Sequence, residues 1–391
     1  MTVLLWLSLF IVFYTFVGYG ILLYFIIKIK RLVKGKAVLP LVVDAELPSC
    51  TLVVAAYNEE FYMEQKIKNS LQLQYPAGKL KFVFVTDGSS DRTPEIISGY
   101  PQIQLLHKPE RAGKIAAVHR AMEYVDTEVV VFTDANTFLN AEAITRICRH
   151  YADKTVGSVA GEKRVHIDKS ADASAAGEGF YWKYESTLKK WDSELYSVVG
   201  AAGELFSVRR NLYQNVPSDT VLDDFMISML ITEQGYRIVY EPNAYALETA
   251  SENVSEELKR KIRIAAGGMQ SVLRLKSLLF STKYPLLSFQ YVSHRVLRWT
   301  VTPFFLLLAF LLNLVMVING TTWFYQLLFA GQVVFYCLAL LGYMMEKRQI
   351  RIKALFIPYY FCIMNYAVLA GIIRYFTKKQ SSIWEKAQRK I

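Results

Sequence analysis

Four stretches of this 391-residue chain carry no charged side chain: Met1 to Ile27, Trp299 to Ile318, Trp323 to Met344 and Ala354 to Ile373. Each has roughly the 20 residues that a helix rising about 1.5 Å per residue needs to cross a bilayer core. One such run reads equally well as a buried core helix. Four in one chain read as membrane segments, so the sequence predicts an integral membrane protein.

The first run lacks a positive amino-terminal region and a small-residue cleavage site, which predicts a retained anchor. Lys28, Lys30, Arg31, Lys34 and Lys36 follow it, and the positive-inside rule places them, with the long polar middle of the chain, in the cytoplasm. The same rule puts "EKRQIRIK" (346–353) inside and makes "NGTT" (319–322) a tight outer turn. Four full spans then leave the tail outside, although it bears Lys378, Lys379, Lys386, Arg389 and Lys390. Either the tail departs from the rule or one run is interfacial or re-entrant. The net charge of +11 gathers beside these runs, where it suits anionic lipid headgroups. No basic segment is interleaved with aromatics as in a nucleic-acid-binding module, so no nucleic-acid partner is expected. Cys50, Cys148, Cys337 and Cys362 form no CxxC pair, which predicts neither a zinc site nor a disulfide frame.

Between the anchor and the later runs, strand-like and helix-like patterns alternate. "CTLVVAAY" (50–57), "LKFVFVT" (80–86), "IQLLH" (103–107) and "EVVVFTD" (128–134) are the strands, and "GKIAAVHRAMEYV" (113–125) is the clearest helix. Such alternation predicts an α/β domain with a mostly parallel, doubly wound sheet. The expected organisation is an anchor at 1–27, a basic linker at 28–47, the α/β domain at 48–250, amphipathic interfacial helices at 251–298, three membrane segments at 299–376 and a basic tail at 377–391.

Open α/β sheets bind ligands beyond the carboxyl ends of their strands, and the polar motifs sit there. "AYNEE" (56–60) follows the first strand, "TDGSSDRT" (86–93) the second, and "TDANT" (133–137) ends the strand after "ERAGK" (110–114). Asp134 and Asn136 read in two ways. Asp and Asn favour turns because their side chains hydrogen-bond nearby backbone. They also offer hard oxygen donors to Mg²⁺ or Mn²⁺. The chain contains neither GxGxxG nor GxxxxGK[ST], which argues against a dinucleotide oxidoreductase and a P-loop NTPase.

Taken in order, these motifs resemble the family-two glycosyltransferases with a GT-A (Rossmann-like) nucleotide-sugar domain, above all the membrane-bound relatives of cellulose, hyaluronan and poly-N-acetylglucosamine synthases. The resemblance covers roughly residues 48–270. It implies a metal-dependent inverting hexosyl- or N-acetylhexosaminyltransferase in a bacterial inner membrane, with its catalytic domain cytoplasmic. The donor would be a nucleotide-sugar, a UDP-sugar by resemblance, and the acceptor a growing envelope glycan. The alternatives are transfer of a single sugar to a lipid or lipid-phosphate and, from a different class, a catalytically silent nucleotide-sensing scaffold subunit, which loss of the acidic or metal residues would have favoured; an accessory subunit would suit either enzyme. By resemblance, Tyr57, Glu59 and Asp87 hold the nucleoside and Lys114 lies near the nucleotide-sugar. Asp134 and Asn136 match the DxD metal motif, with Asn in its second place. Gly203 and Glu204, in "VVGAAGELFSVRR" (198–210), match the loop that shapes the acceptor pocket. Asp223 and Asp224 open "VLDDFMISMLITEQGYR" (221–237), where plain helix capping would also explain them; the resemblance makes Asp224 the general base.

The last motif departs most from the family. Where polymer synthases carry Gln-x-x-Arg-Trp, this chain has Arg260-Lys261-Ile262-Arg263-Ile264. Arg260 and Arg263 fall at i and i+3 of a helix expected to open at Ser255. They would form a basic face lying on the membrane, or Arg263 would meet the leaving diphosphate with Arg260 and Ile264 on the acceptor side. Ile264 in place of Trp removes a flat surface on which a sugar can stack.

Overall fold

The computed structural model describes residues 1–35, 43–166, 173–249, 254–348, 350 and 352–380. Helix α1 (Thr2–Phe13) passes through a π-helical turn at Tyr14–Gly18 into α2 (Tyr19–Lys34). Lys28, Lys30, Arg31 and Lys34, expected to begin a linker, are therefore the last turns of that helix, where cations favour the dipole. Arg31 is fixed there by two 2.6 Å bonds to the Glu194 carboxylate. Lys36 and the basic residues Lys386, Arg389 and Lys390 lie outside the described residues.

The predicted strands form as β1 (Cys50–Ala56), β2 (Leu80–Asp87), β3 (Ile103–Lys108) and β4 (Val129–Asp134). Helices α3 (Glu60–Leu71), α4 (Thr93–Ser98) and α5 (Lys114–Glu123) connect them. The chain then continues through β5 (Thr137–Leu139), α6 (Ala143–Arg149), β6 (Val156–His166), α7 (Ala173–Leu195), β7 (Phe206–Arg209), α8 (Asp223–Glu233) and β8 (Arg237–Thr249). The sheet order is β3-β2-β1-β4-β7-β6-β8-β5. Strands β3 to β4 are parallel and so are β6 and β8, whereas β7 runs antiparallel between β4 and β6 and β5 is antiparallel to β8. The expected α/β class holds, with a mixed second half that the motifs did not predict.

Side chains alternate along β1 to two cores. Val53 joins Val85, Val130, Phe132 and the inner face of α5 on one side. Leu52 and Val54 join Phe84, Val131, Met63 and Ile67 on the other. Each fully buried Val or Leu contributes about 1.5–3 kcal/mol, which explains why these strands read as unbroken apolar runs. The chain leaves β1 for β2 and β3 on one side and returns to β4 on the other. This is the topological switch at which such sheets open a crevice. Register sets Ala55 beside Asp134 and Ala56 beside Thr86, so the three polar motifs meet at one end.

Beyond the sheet, α9 (Val254–Arg274) leads to α10 (Pro285–Tyr291), a second π-helical turn and α11 (Leu297–Trp299). Then follow α12 (Thr302–Ile318), α13 (Trp323–Lys347) and α14 (Lys353–Phe376). Among the described residues, three helices, 2–34, 323–347 and 354–376, are long and apolar enough to cross a membrane. The expected run 299–318 instead breaks at Thr300–Val301, where 285–299 and 302–318 meet at 60°. Trp6 stacks on Phe324 and donates to the Tyr325 hydroxyl, so α13 starts level with the start of α1. Gly371 of α14 lies against Ala265 and Ala266 of α9, packing the last apolar run against the helix that follows the sheet.

Candidate active site

Two loops close on the nucleoside side of the crevice. Asp87 is 4% exposed, and its Oδ2 accepts the backbone N–H groups of Ala112 and Gly113 at 2.8 and 2.6 Å. One carboxylate oxygen thus holds the loop before α5, and Oδ1 has no hydrogen-bond partner among the described residues. That loop carries Arg111, whose guanidinium lies 3.8 Å from the Tyr57 ring centre. Tyr57, Asp87, Arg111, Gly113 and Lys114 line one pocket. Glu59 is buried beneath it, its N–H donating to Thr93 Oγ1, and is not among the residues lining the pocket. Arg111, a residue the motifs did not single out, takes a place beside Tyr57 instead.

Next along the crevice, Lys114 Nζ sits 2.9 Å from Asp134 Oδ1 and 3.7 Å from Asp223 Oδ2. A Cβ added at Gly203 would lie 3.2 Å from Asp224 Oδ2 and 3.4 Å from Lys114 Nζ. Glycine there lets the backbone enter between carboxylate and ammonium. Burial works to lower the Lys114 pKa, but the carboxylates of Asp134, Asp223 and Asp224 outweigh it and hold the ammonium charged. Burial raises the Asp224 carboxyl to about 7, Asp223 adds to the effect and Lys114 opposes it. A carboxylate poised there is matched to proton transfer near neutrality. Burial also lowers the Arg263 pKa, against the pull of Asp223, Asp224 and Asp134, which places the guanidinium within the field of the acidic group.

Asp224 opens onto a second cavity of about 280 Å³ that also includes Glu204, Arg260 and Ile264. Arg260 is held by two 2.9 Å bonds to Glu257. Lys163 donates to Glu204 at 2.6 Å and also pairs with Glu248. The sequence reading missed much of the remaining wall. Arg295 and Arg298 share the buried Glu185 carboxylate at 2.7 and 3.0 Å. Trp182 and Trp299 supply aromatic faces, and Phe16, Met364 and Val368 come from apolar helices. Gly267 and Gly268 of α9 make the assembly possible. Side chains there would strike Val221 and Leu222 just before Asp223, and the Trp299 ring. Two glycines cost a helix about 1 kcal/mol each, a cost offset by this close approach.

For a divalent cation the donor set is hard oxygen: the Asp134 carboxylate and the Asn136 amide, with phosphate oxygens of a donor to complete it. Among the described residues no three His, Cys, Asp or Glu side chains form a self-sufficient metal cage. The Asp134 carboxylate lines the crevice and already faces one cation, with its Oδ1 on the Lys114 ammonium, so a divalent ion would use the other oxygen or displace Lys114. Asn136 is buried, at 5% exposure.

The switch-point crevice, with its DxD-like strand end, a lysine among three carboxylates and a carboxyl raised toward neutrality, sits in a sheet of GT-A-like fold. Residues 51–216 match the family model described as Glycosyl transferase family 2, and the chain carries a domain of that family. It is 26% identical over 249 residues to the poly-beta-1,6-N-acetyl-D-glucosamine synthase of Staphylococcus aureus, a match covering 62% of this chain and 60% of the relative. It is 24% identical over 254 residues to the probable glycosyltransferase YdaM of Bacillus subtilis, covering 61% and 59%. The matched region thus spans about 60% of the length of these curated relatives. Among solved structures it is similar to the mannosyltransferase PcManGT from Pyrobaculum calidifontis, solved in complex with GDP-Man and Mn²⁺. That likeness has a TM-score of 0.73 at 23% identity and covers 96% of this chain and 100% of the other. The shared fold therefore includes the membrane helices as well as the GT-A sheet.

Proposed function

We propose that the protein transfers a sugar, with inversion, from a nucleotide-diphosphate sugar to an acceptor borne on a membrane lipid through a phosphate. One observation carries this reading. The cavity that begins at Asp224 ends among apolar helices, and its wall holds Arg260, Lys261, Arg295 and Arg298. Arg260 and Lys261 pair with Glu257, and Arg295 and Arg298 with Glu185, but cations outnumber carboxylates in the lining, a balance that favours a phosphate monoester, which pairs with guanidinium forks, over a neutral glycan. A growing glycan is the second acceptor, favoured by Trp182 and Trp299 in the same cavity and by the names of the curated relatives.

Tyr57, with Arg111 stacked on one face of its ring, would border the base, and Asp87 Oδ1 would accept from the base or ribose. The donor is taken as a UDP-sugar. Asp134 and Asn136 would hold Mg²⁺ or Mn²⁺, which supplies charge neutralisation for the leaving diphosphate. Lys114 and Arg263 would meet the same diphosphate from the protein side. Asp224 accepts the proton of the attacking acceptor oxygen as it approaches the anomeric carbon from the face opposite the leaving group. Residues 48–250 form the catalytic unit on the cytoplasmic face. Helix α14, tied to α9 at Gly371, would lie at that face, which keeps Lys378 and Lys379 inside.

The test is a screen of UDP- and GDP-sugars with full-length protein in detergent. Polyprenyl monophosphate, neutral lipid and oligosaccharide serve as acceptors, and products are read by mass. Arg295→Gln and Arg298→Gln should raise KM for the phosphate acceptor at least tenfold and leave the donor KM unchanged. Transfer to oligosaccharide alone would overturn the lipid-phosphate reading.

A further inference from the structure

The inward face of α3 is Met63, Lys66, Ile67 and Ser70, and every one of them is buried. Lys66 is 0% exposed, in a stripe whose spacing asks for an aliphatic residue. A lysine so placed must find acceptors within the core. Its Nζ donates to the Thr137 carbonyl at 2.6 Å and to Thr133 Oγ1 at 3.1 Å. Thr133 is the last but one residue of β4 and Thr137 opens β5, so these two contacts bracket the Asp134-Ala135-Asn136 turn.

The hydrogen bonding beyond those contacts is directional. A backbone carbonyl can only accept, so the Thr133 hydroxyl donates to Glu204 O at 2.8 Å and accepts from Lys66. Thr137 Oγ1, 3.0 Å from Asp134 O, spends its proton on the backbone of the turn. Burial lowers the Lys66 pKa to about 7 against the pull of Asp134, and the ammonium and the neutral amine can each make both donations. One buried amino group thereby ties together the helix that follows the Tyr57 loop, the Asp134 turn and the Glu204 loop beside Asp224. It touches none of the space in which substrates would bind.

We infer that Lys66 is a positioning residue that fixes the Asp134–Asn136 turn for metal binding and, through Thr133, sets the acceptor loop at Glu204 against it. The inference rests on the reading that Asp134 and Asn136 hold the divalent ion. The two contacts predict separable effects. Lys66→Met keeps the length and removes both contacts, so it should weaken Mn²⁺ binding and slow turnover. Thr133→Val keeps the bond from Lys66 to Thr137 O and removes the Thr133 hydroxyl, and with it the contacts to Lys66, Thr137 Oγ1 and Glu204 O. It should leave Mn²⁺ affinity near wild type and lower kcat.

The experiment measures Mn²⁺ binding to full-length protein in detergent by electron paramagnetic resonance, with a saturating nucleoside diphosphate present. It is paired with kcat and KM for the donor and with thermal melting of each variant. Expected are at least a tenfold rise in the Mn²⁺ Kd for Lys66→Met, less than a twofold change for Thr133→Val, and a kcat at least fivefold lower in both. The double variant should lose less than the product of the single effects, because both act through one network. If wild type binds no Mn²⁺, the metal reading itself fails. If wild type binds and a folded Lys66→Met binds equally well, the positioning role is overturned while the metal reading stands. Should Lys66→Met not fold, Thr133→Val decides: unchanged kcat refutes the link, and lowered kcat at unchanged Mn²⁺ affinity supports it.

Discussion

Replacing Asp224 by Asn should stop transfer and, at the same time, stabilise the protein. Asn keeps the shape of the side chain and cannot accept a proton, so the chemical step loses its base. Removing a general base costs about 10²–10⁴ in rate, and kcat should fall by that much with donor binding preserved. The stability effect follows from the carboxyl raised to about 7, chiefly by burial and then by Asp223. Below the unfolded value near 3.8 both states are protonated and there is no penalty. As pH rises toward about 7 the unfolded chain ionises and the folded one does not, so stability is lost across that window; above it the full cost remains. Carrying a carboxyl from 3.8 to about 7 costs on the order of 4 kcal/mol at most, and Lys114 and metal reduce it. Asp224→Asn should therefore raise Tm by several degrees at pH 8 and leave it unchanged near pH 4. The wild-type kcat/KM should rise with pH through an apparent pKa near 7, a property of the Asp223, Asp224 and Lys114 group together. The assays are nucleotide titration, initial rates from pH 5 to 9 and melting at pH 4 and pH 8. Turnover within a few-fold of wild type would refute the assignment. A Tm lowered at pH 8 would refute the electrostatic reasoning.

Chelation should abolish activity and Mn²⁺ or Mg²⁺ restore it, with Asp134→Ala raising the metal requirement far more than Asn136→Ala, because Asp134 brings charge and Asn136 only a carbonyl; full activity after exhaustive chelation would exclude this. For product length, the absent aromatic at Ile264 predicts short ladders or single additions by the purified protein. Long polymer at the earliest times would rule that out. If chain growth occurs at all, Trp182→Ala or Trp299→Ala should shorten the products further.

The first half of the sheet was legible because its strands are buried on both faces and their carboxyl ends carry polar motifs in order. The sequence reading did not resolve β5, β6 or β8. Strand β5 has three residues and depends on its pairing with β8, and β6 mixes Gly, Lys and Glu into its pattern because it curls across a register shift at Gly161. The acidic and metal residues could be placed by motif. The cations of the second cavity could not, since Arg295 and Arg298 sit on a helix about 70 residues beyond Asp224 and meet it only through the packing of α9 and α11. Their signal was a basic pair at i and i+3 just ahead of an uncharged run. Glu59, a charged motif residue expected to face the ligand, is buried, and its backbone N–H donates to Thr93 Oγ1 at the start of α4.

Asp223 and Asp224 are neighbours in sequence but address different spaces. Consecutive residues on a helix point about 100° apart, and here Asp223 lines the pocket shared by Lys114 and Asp134 while Asp224 lines the cavity of Arg295, Arg298 and Trp299. The helix start favours both negative charges, which lets two carboxylates stand side by side where a strand or loop would gain no such compensation. The wall between donor and acceptor is thus one turn of α8, with Gly203 threading past it. If this division is right, the two substitutions differ in kind. Asp223→Asn removes a charge that holds Lys114 and should raise the donor and metal KM with a modest loss of kcat. Asp224→Asn should leave both KM values near wild type and remove kcat. Equal patterns in the two variants would show that the pair works as one acid-sharing unit and that the boundary drawn here does not exist.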